Sequence, residues 1–496
     1  MRDDTSLLAA YPLLWQSEQW SARPALINAT GETAVPYGVL YERVGAIAGS
    51  LRQAGIQPRQ LVALAMERSS DSVIALLGIM AAGACPCPLE PRLTQEEVRD
   101  RLSAVGIKAV LLDAANQHSL DLCGSVQRLR VDALPKAPHY WSDGIRPDDP
   151  GLLLFTSGST GRPKGVLLSH RGLLNNARGV ISMTGLTPGD KLLHVMPLYH
   201  TNGLNNQIFS PLLAGAQVVL ADRFRAADMP TLLDAHRPTI ITGVPTMYSR
   251  MLDLVFAPEG LAALRFARCG SAPITRELHI KIEALLKCPL LVSYGLSEAT
   301  CTSTMNPPGQ RKIGSIGKAL PFQRVYLRSS DGAVIEQPGI DGEICIEGDS
   351  LMLGYLGVQQ DGILEPAAPV LRSGDLGRMD EDGYFTITGR LKDVIIRGGE
   401  NISPALIEQA ISASPDVHSC CVVGRPDPDL GEVPVAFVVS ADPSRQDKAG
   451  IQALVSERLS RIYRLEDVFF IDALPENSVG KIDRKALARS LAAAVE

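Results

Sequence analysis

The chain has 496 residues, room for about three units of ordinary domain size, with 48 Lys and Arg against 54 Asp and Glu and a net charge of −6. That balance excludes a basic surface built to coat nucleic acid, while leaving room for a local basic site. With 45% apolar and 21% charged residues, the composition also excludes a disordered chain or a highly charged coiled coil.

The first residues, MRDDTSLLAAYPLLWQ, place two acids beside the only early Arg and contain no long apolar stretch, unlike a secretory leader. Nine cysteines include no Cys-x-x-Cys pair. They read as reduced thiols of a cytoplasmic protein, not as a disulfide frame or a zinc site. Val73 to Pro88 is the most apolar segment; it is too short and too interrupted by Gly and Pro to span a bilayer, and reads as a buried helix turning into a buried strand.

From about residue 60 to 330, apolar bursts (LVALAME, AVLLDA, LLLFTSG, KLLHVMP, AQVVLAD, TIITGVP, PLLVSYG) read as strands, with helical periodicity between several of them, as in MPTLLDAHRP and ITRELHIKIEALLK. The alternation predicts a largely parallel, helix-covered sheet. After Ile313 the segments RVYLRSSDGAVI, GEICIEG and YFTITGR, joined by Asp-Gly turns, predict an antiparallel β-rich subdomain. A polar stretch, GRLKDVIIRGGEN, precedes a smaller unit with helices at PALIEQAISA and AGIQALVSERLSRI and strands at SCCVVGR and PVAFVVS. The expected fold class is α/β: a large N-terminal domain of α/β subdomains plus the small β-rich one over 1–390, then a smaller mobile α+β C-terminal domain over 391–496.

The apolar run Leu152–Phe155 leads directly into Thr156, Ser157, Gly158, Ser159, Thr160, Gly161, Arg162, Pro163, Lys164 and Gly165. Hydroxyls and backbone N–H groups in such a loop can converge on phosphate oxygens. It is not a Walker loop, because Pro163 precedes the lysine and Gly165 stands where a magnesium-binding hydroxyl would follow.

The string LLFTSGSTGRPKGVLLSH resembles the phosphate-binding signature of the adenylate-forming superfamily, which comprises acyl- and aryl-CoA synthetases, adenylation domains and luciferases. Further segments resemble that family in its order: GIMAAGACPCPLEP, MPLYHTNGL, CGSAPI, YGLSEAT, SGDLGRMDEDGYFTITGRLKD, GGENISP and NSVGKIDR. The chain is most similar to an acyl-CoA synthetase. The resemblance implies that ATP and Mg²⁺ convert a small carboxylic acid to an acyl-adenylate with release of pyrophosphate. The acyl group then passes to the thiol of CoA or, alternatively, to the phosphopantetheine of a separate acyl carrier protein.

By the same resemblance, Thr156 to Gly161 and Lys164 hold the β- and γ-phosphates, Gly270, Ser271 and Ala272 lie against one face of the adenine, and Tyr294 lies on its other face, followed by Gly295 and Ser297. Glu298 would hold Mg²⁺, as a hard oxygen ligand should. Asp375 would accept the ribose hydroxyls, with Arg390 beside ribose or phosphate, and Lys481 would neutralise charge during the first half-reaction. Lys392 falls at the hinge position; Gly398, Gly399 and Glu400 fall along the path of the thiol, and His200 at a gate between the half-reactions.

The expected acyl pocket comprises Asn202, Gly203, Asn205, Asn206, Leu296 and Cys301. Its amides point to a polar or oxygenated acid, and the lack of an acid between Asn202 and Gln207 argues against an amino-acid substrate. SGDLG lacks the Trp and Thr that usually precede it in the family, and Arg464-Leu-Glu466 replaces a usual Lys-x-Pro. A luciferase-type oxygenase and a non-catalytic nucleotide-binding protein share these motifs and remain alternatives. The sequence carries no signal of oligomeric state.

Overall fold

The computed structural model describes residues 6–31, 34–116, 126–157, 163–357, 364–398, 400–476 and 482–493. Its central element is a nine-stranded sheet. Across it run Lys318–Ala319, Thr304–Met305, Leu290–Tyr294, Phe266–Cys269, Ile240–Gly243, Lys191–His194, Gln217–Leu220, Pro24–Asn28 and Ala34–Pro36. The interior strands are parallel and the edges antiparallel. The interior strands are short and mostly buried, as cover by helices on both faces demands.

The expected single parallel sheet is in fact divided. Leu61–Ala65, Cys85–Pro88, Ala109–Leu112 and Gln127–Arg130 form a second, four-stranded parallel sheet. The segment preceding the phosphate loop belongs to neither. Pro150–Ser157 pairs antiparallel with Pro163–Ser169, which in turn pairs with Gly354–Leu356. A continuous apolar run is ambiguous in this respect, because burial on both faces occurs in hairpins packed inside a large core as well as in parallel sheets.

Ser70–Ala81 is a helix buried at every position but Asp71, and it leads into the buried strand Cys85–Pro88, as the apolar pattern of this segment predicts. Ser69 and Ser72 close its N-terminus reciprocally through a capping box. The helix His170–Thr184 starts where Ser169 Oγ accepts from Gly172 N at 3.0 Å and stops at Gly185 in the left-handed region, φ +58°. It packs beside a short helix, Thr201–Leu204, a π-helical turn, Asn205–Phe209, and another helix, Ser210–Ala214.

The N-terminal helix Leu7–Trp15 fixes that segment from behind. Tyr11 Oη donates to the Phe209 carbonyl and Trp15 Nε1 to the Leu212 carbonyl, each at 3.2 Å, and both side chains are fully buried. Phe209 ends the π turn and Leu212 lies in the last turn of the short helix after it, so these buried donors meet carbonyls that lack a regular helical partner.

The β-rich subdomain is a five-stranded antiparallel sheet ordered Val334–Ile335, Gln323–Arg328, Asp341–Gly348, Leu371–Met379, Phe385–Arg390. Beyond it, Ile395–Arg397, Glu400–Ile402, Val417–Asp427, Gly431–Ser440 and Asp467–Phe470 build a separate sheet. The helices Pro404–Ser412 and Lys448–Arg458 cover it over a core that includes Ile407, Ile411, Val438 and Val455. The second helix ends at Arg458, shorter than its periodicity predicts, and Arg461–Tyr463 is a separate 3₁₀ turn. Among the described residues no helix is long and apolar enough to cross a membrane.

Replacing Tyr11 by Phe leaves the buried Phe209 carbonyl without its donor and should lower stability by about 1–2 kcal/mol. Urea unfolding measures this; an unchanged midpoint would show that the hydroxyl does not support the π turn.

Candidate active site

Asp375 lies at the meeting point of the two largest sheets. Its side chain is 4% exposed, and it accepts from Tyr294 Oη at 2.7 Å on one oxygen and from Arg390 Nε on the other. Tyr294 ends a strand of the nine-stranded sheet, whereas Asp375 and Arg390 are register partners on adjacent strands of the β-rich sheet. Burial and the adjoining carboxylate both push the Tyr294 phenol well above its ordinary range, so it stays a donor. Burial opposes the charge on Arg390, but the hydrogen bond and charge of Asp375 outweigh it and raise the guanidinium.

The turn carrying Asp375 is itself held. Gly374 has φ +71°, a conformation that costs glycine little. Its N–H donates to Glu343 Oε1 at 3.0 Å, while Arg372 Nε donates to Glu343 Oε2 at 2.6 Å. Glu343 is 5% exposed and was not evident from the motifs. Its only local signal is an acid placed at the start of an apolar strand, and its partners come from the neighbouring strand.

Gly270, Ser271 and Ala272 follow the strand Phe266–Cys269 directly, with Ser271 at φ +68°. Left-handed backbone at a non-glycine residue is a strained state that functional loops retain. Asn202 Nδ2 reaches Ser271 Oγ at 3.4 Å, joining the expected adenine loop to the expected acyl pocket. Gly295 sits between Tyr294 and the turn Ser297–Ala299, where a Cβ would lie 1.7 Å from the Cys301 carbonyl oxygen.

Glu298, in that turn, accepts from Tyr355 Oη at 2.8 Å. Burial, then the Glu298 carboxylate, pushes the Tyr355 phenol up, so it too remains protonated. Lys164 Nζ stands 5.2 Å from the Tyr355 ring centre, a cation–π distance. Tyr355 thus touches both the expected phosphate lysine and the expected metal carboxylate. Its strand pairs with Pro163–Ser169, where Tyr355 faces Val166, and nothing near it in the sequence reveals that pairing. Thr156 is the register partner of Lys164. Gly158, Ser159, Thr160 and Gly161 lie outside the described residues, as does the Ser157 side chain.

The expected acyl pocket is a buried amide network. Asn206 Nδ2 donates to Asn202 Oδ1 and to Thr302 Oγ1, each at 3.0 Å. Asn205 turns instead to Asn176 Oδ1, 2.8 Å away on the helix His170–Thr184, and Gln207 Nε2 donates to the Asn202 carbonyl at 3.2 Å. Gly203 is packed so closely that a Cβ would lie 1.9 Å from the Pro197 carbonyl oxygen. Leu296 is partly buried against the β-rich core. Burial pushes the Cys301 thiol up to about 11 despite hydrogen bonds with Thr302 and Thr201, so it is a neutral wall group. His200 occupies the cap position before Thr201–Leu204, its ring 4.7 Å from that of Tyr199.

In the C-terminal unit, Lys392 is exposed within the 3₁₀ turn Leu391–Asp393. Gly398 (φ +58°) and Glu400 are exposed, and Gly399 and Lys481 lie outside the described residues. Glu476 and Ile482, which bracket 477–481, pair with each other, and Glu476 lies 3.9 Å from Arg250 of the large domain. Arg484 anchors the final helix through Glu408 Oε2 at 2.8 Å and the Val422 carbonyl at 2.7 Å.

The chain matches the model of the AMP-binding enzyme family over residues 13–356 and that of the AMP-binding enzyme C-terminal domain over 406–481. It is 34% identical to a sulfoacetate–CoA ligase of Cupriavidus necator over 95% of this chain and 96% of that protein. It is 35% identical to a feruloyl-CoA synthase of an Amycolatopsis species over 91% and 93% of the respective chains. The crystal structure of ATP-bound MatB from Rhodopseudomonas palustris superposes with a TM-score of 0.89 at 28% identity, covering 100% of both chains. The chain belongs to the AMP-binding enzyme family, as an AMP-forming acid–thiol ligase.

Replacing Gly295 by Ala drives a Cβ into the Cys301 carbonyl, a backbone atom that cannot swing aside. The substitution should cost about 3 kcal/mol and remove carboxylate-dependent ATP–pyrophosphate exchange. A near-native thermal midpoint with full exchange would contradict the packing described here.

Proposed function

We propose that the ligase activates a polar, non-amino carboxylic acid as its acyl-adenylate and passes the acyl group to CoA, with the residue roles that follow. The observation that carries this reading is the Tyr294–Asp375–Arg390 cluster, which presents a buried carboxylate held by one donor on each oxygen, with Tyr294 ending the strand next to the one that leads into Gly270–Ala272. A carboxylate oxygen has room for more than one donor, so ribose hydroxyls can join Tyr294 and Arg390 at Asp375. The adenine then lies between the Gly270–Ala272 backbone and the Tyr294 ring.

Attack of one anion on the phosphate of another needs fixed positive charge and aligned donors. Thr156 to Gly161 supply donors and Lys164 supplies charge, with Tyr355 orienting both Lys164 and Glu298. Glu298 suits Mg²⁺: it is a single carboxylate, with one oxygen already oriented by Tyr355 and the other available to a cation that prefers few protein ligands. When bound there, Mg²⁺ would screen the phosphate charges. Lys481 brings an ammonium to the carboxylate and α-phosphate during adenylation, an assignment that rests on the NSVGKIDR segment.

The Arg250–Glu476 contact supports an arrangement in which the small domain meets the large one just ahead of the NSVGKIDR segment. For thioester formation, rotation about Lys392 withdraws that segment and brings Gly398, Gly399 and Glu400 to the acyl-adenylate, where two small residues let the pantetheine arm approach the backbone. Cys301 takes no part as a nucleophile, because its thiol remains protonated at neutral pH.

Lys481→Ala should abolish carboxylate-dependent ATP–pyrophosphate exchange while retaining thioester formation from supplied acyl-AMP and CoA. Equal loss of both half-reactions would remove the lysine from its assigned step.

A further inference from the structure

Arg268 is the one cation of the strand Phe266–Cys269, and it is 2% exposed. Its Nε donates to Thr242 Oγ1 at 3.1 Å and its Nη2 to the Asn206 carbonyl at 2.9 Å. Among the described residues Nη1 has no hydrogen-bond partner, and no carboxylate lies within ion-pair distance of the guanidinium. Other arginines of the same body are paired: Arg265 with Asp190, Arg311 with Glu283 and Arg390 with Asp375.

Burial pulls Arg268 down to about 10, with only the Cys301 thiol and the Tyr248 phenol set against it, so it remains a cation at neutral pH. A buried charge without a counter-charge is expensive, and native proteins retain one where something pairs with it.

The position of the side chain shows where that partner arrives. Thr242 and Arg268 are register neighbours near the carboxyl ends of two parallel strands, the edge at which open α/β sheets receive ligands. The Asn206 carbonyl that accepts from Arg268 belongs to the π turn, and the Asn206 side chain joins Asn202 and Thr302. Asn202 in turn reaches Ser271, and Cys301 adjoins the guanidinium electrostatically. Arg268 therefore belongs to the wall that Asn202, Asn206, Cys301 and Thr302 form around the acyl site.

We propose that Arg268 is a specificity-determining residue that pairs with a second anionic oxygen group of the substrate, so that the preferred acid is a short dicarboxylic or sulfocarboxylic acid. The inference rests on the acid-activating function and narrows its substrate class. Amides alone would accept a neutral hydroxy or oxo acid. A guanidinium edge adds charge and a planar fork of donors, which suits a carboxylate or sulfonate. The group that reacts with ATP stays at the opposite, phosphate-facing end, and no bond to Arg268 forms or breaks.

The test is ATP–pyrophosphate exchange with matched pairs: short dicarboxylic acids against their monoamides, and a sulfocarboxylic acid against the corresponding unsubstituted acid. Wild-type kcat/KM should favour the dianion of each pair by about 100-fold. Arg268→Gln should collapse that ratio toward unity, and Arg268→Lys, which keeps the charge but loses the fork, should retain part of it. A wild-type preference for the neutral member would overturn the proposal, as would an Arg268→Gln variant that lowers both members equally. If neither variant folds, the wild-type ratio decides alone. Exchange with neutral acids only would overturn the proposal while leaving acid activation standing; exchange with no acid would overturn both.

Discussion

A buried carboxylate tolerates no missing donor, and that constraint at Asp375 governs how the large domain fits together. The two donors come from chain segments that share no local structure: Tyr294 from the end of a parallel strand and Arg390 from an antiparallel hairpin. Asp375 is satisfied only when the nine-stranded sheet and the β-rich sheet have docked. Beside this joint, the turn with Glu298 meets Tyr355 on a third sheet, next to Lys164. In the proposed reading, nucleotide recognition therefore depends on the joining of the subdomains.

The acyl side is arranged differently. Its amides sit on a π turn held from behind by Tyr11 and Trp15, and their hydrogen bonds run mostly to one another and to Thr302. The network is not closed, because the buried Asn205 Oδ1 and Gln207 Oε1 have no hydrogen-bond partner among the described residues. Arg268 stands out against it as a charge without a carboxylate partner among the described residues, and the proposed preference for a doubly charged acid rests on that contrast. The net charge of −6 gives no hint of these local cations, because Arg268, Arg390 and Lys164 are a small part of 48 basic residues.

Much of this was legible in the residues. Apolar runs mark the strands, Asp-Gly turns mark the antiparallel subdomain, and the ordered motifs mark the family. The strand before the phosphate loop was placed in the wrong kind of sheet, since an apolar run does not say which neighbour it pairs with. Glu343, Tyr355 and Arg268 escaped notice for a related reason. Each acts through a partner that register or tertiary packing brings near: Gly374 for Glu343, Glu298 for Tyr355 and the π-turn carbonyl for Arg268. Arg484, by contrast, is conspicuous in its motif and serves to anchor the last helix.

The central claim is that one carboxylate both joins the two sheets and receives the ribose. Asp375→Asn keeps the shape and removes the charge, so the most direct measurement is its AMP affinity by calorimetry alongside its thermal midpoint. The account predicts at least about tenfold weaker AMP binding together with a lowered midpoint, because Arg390 loses the buried carboxylate that is its counter-charge. AMP binding equal to that of the wild type would contradict it.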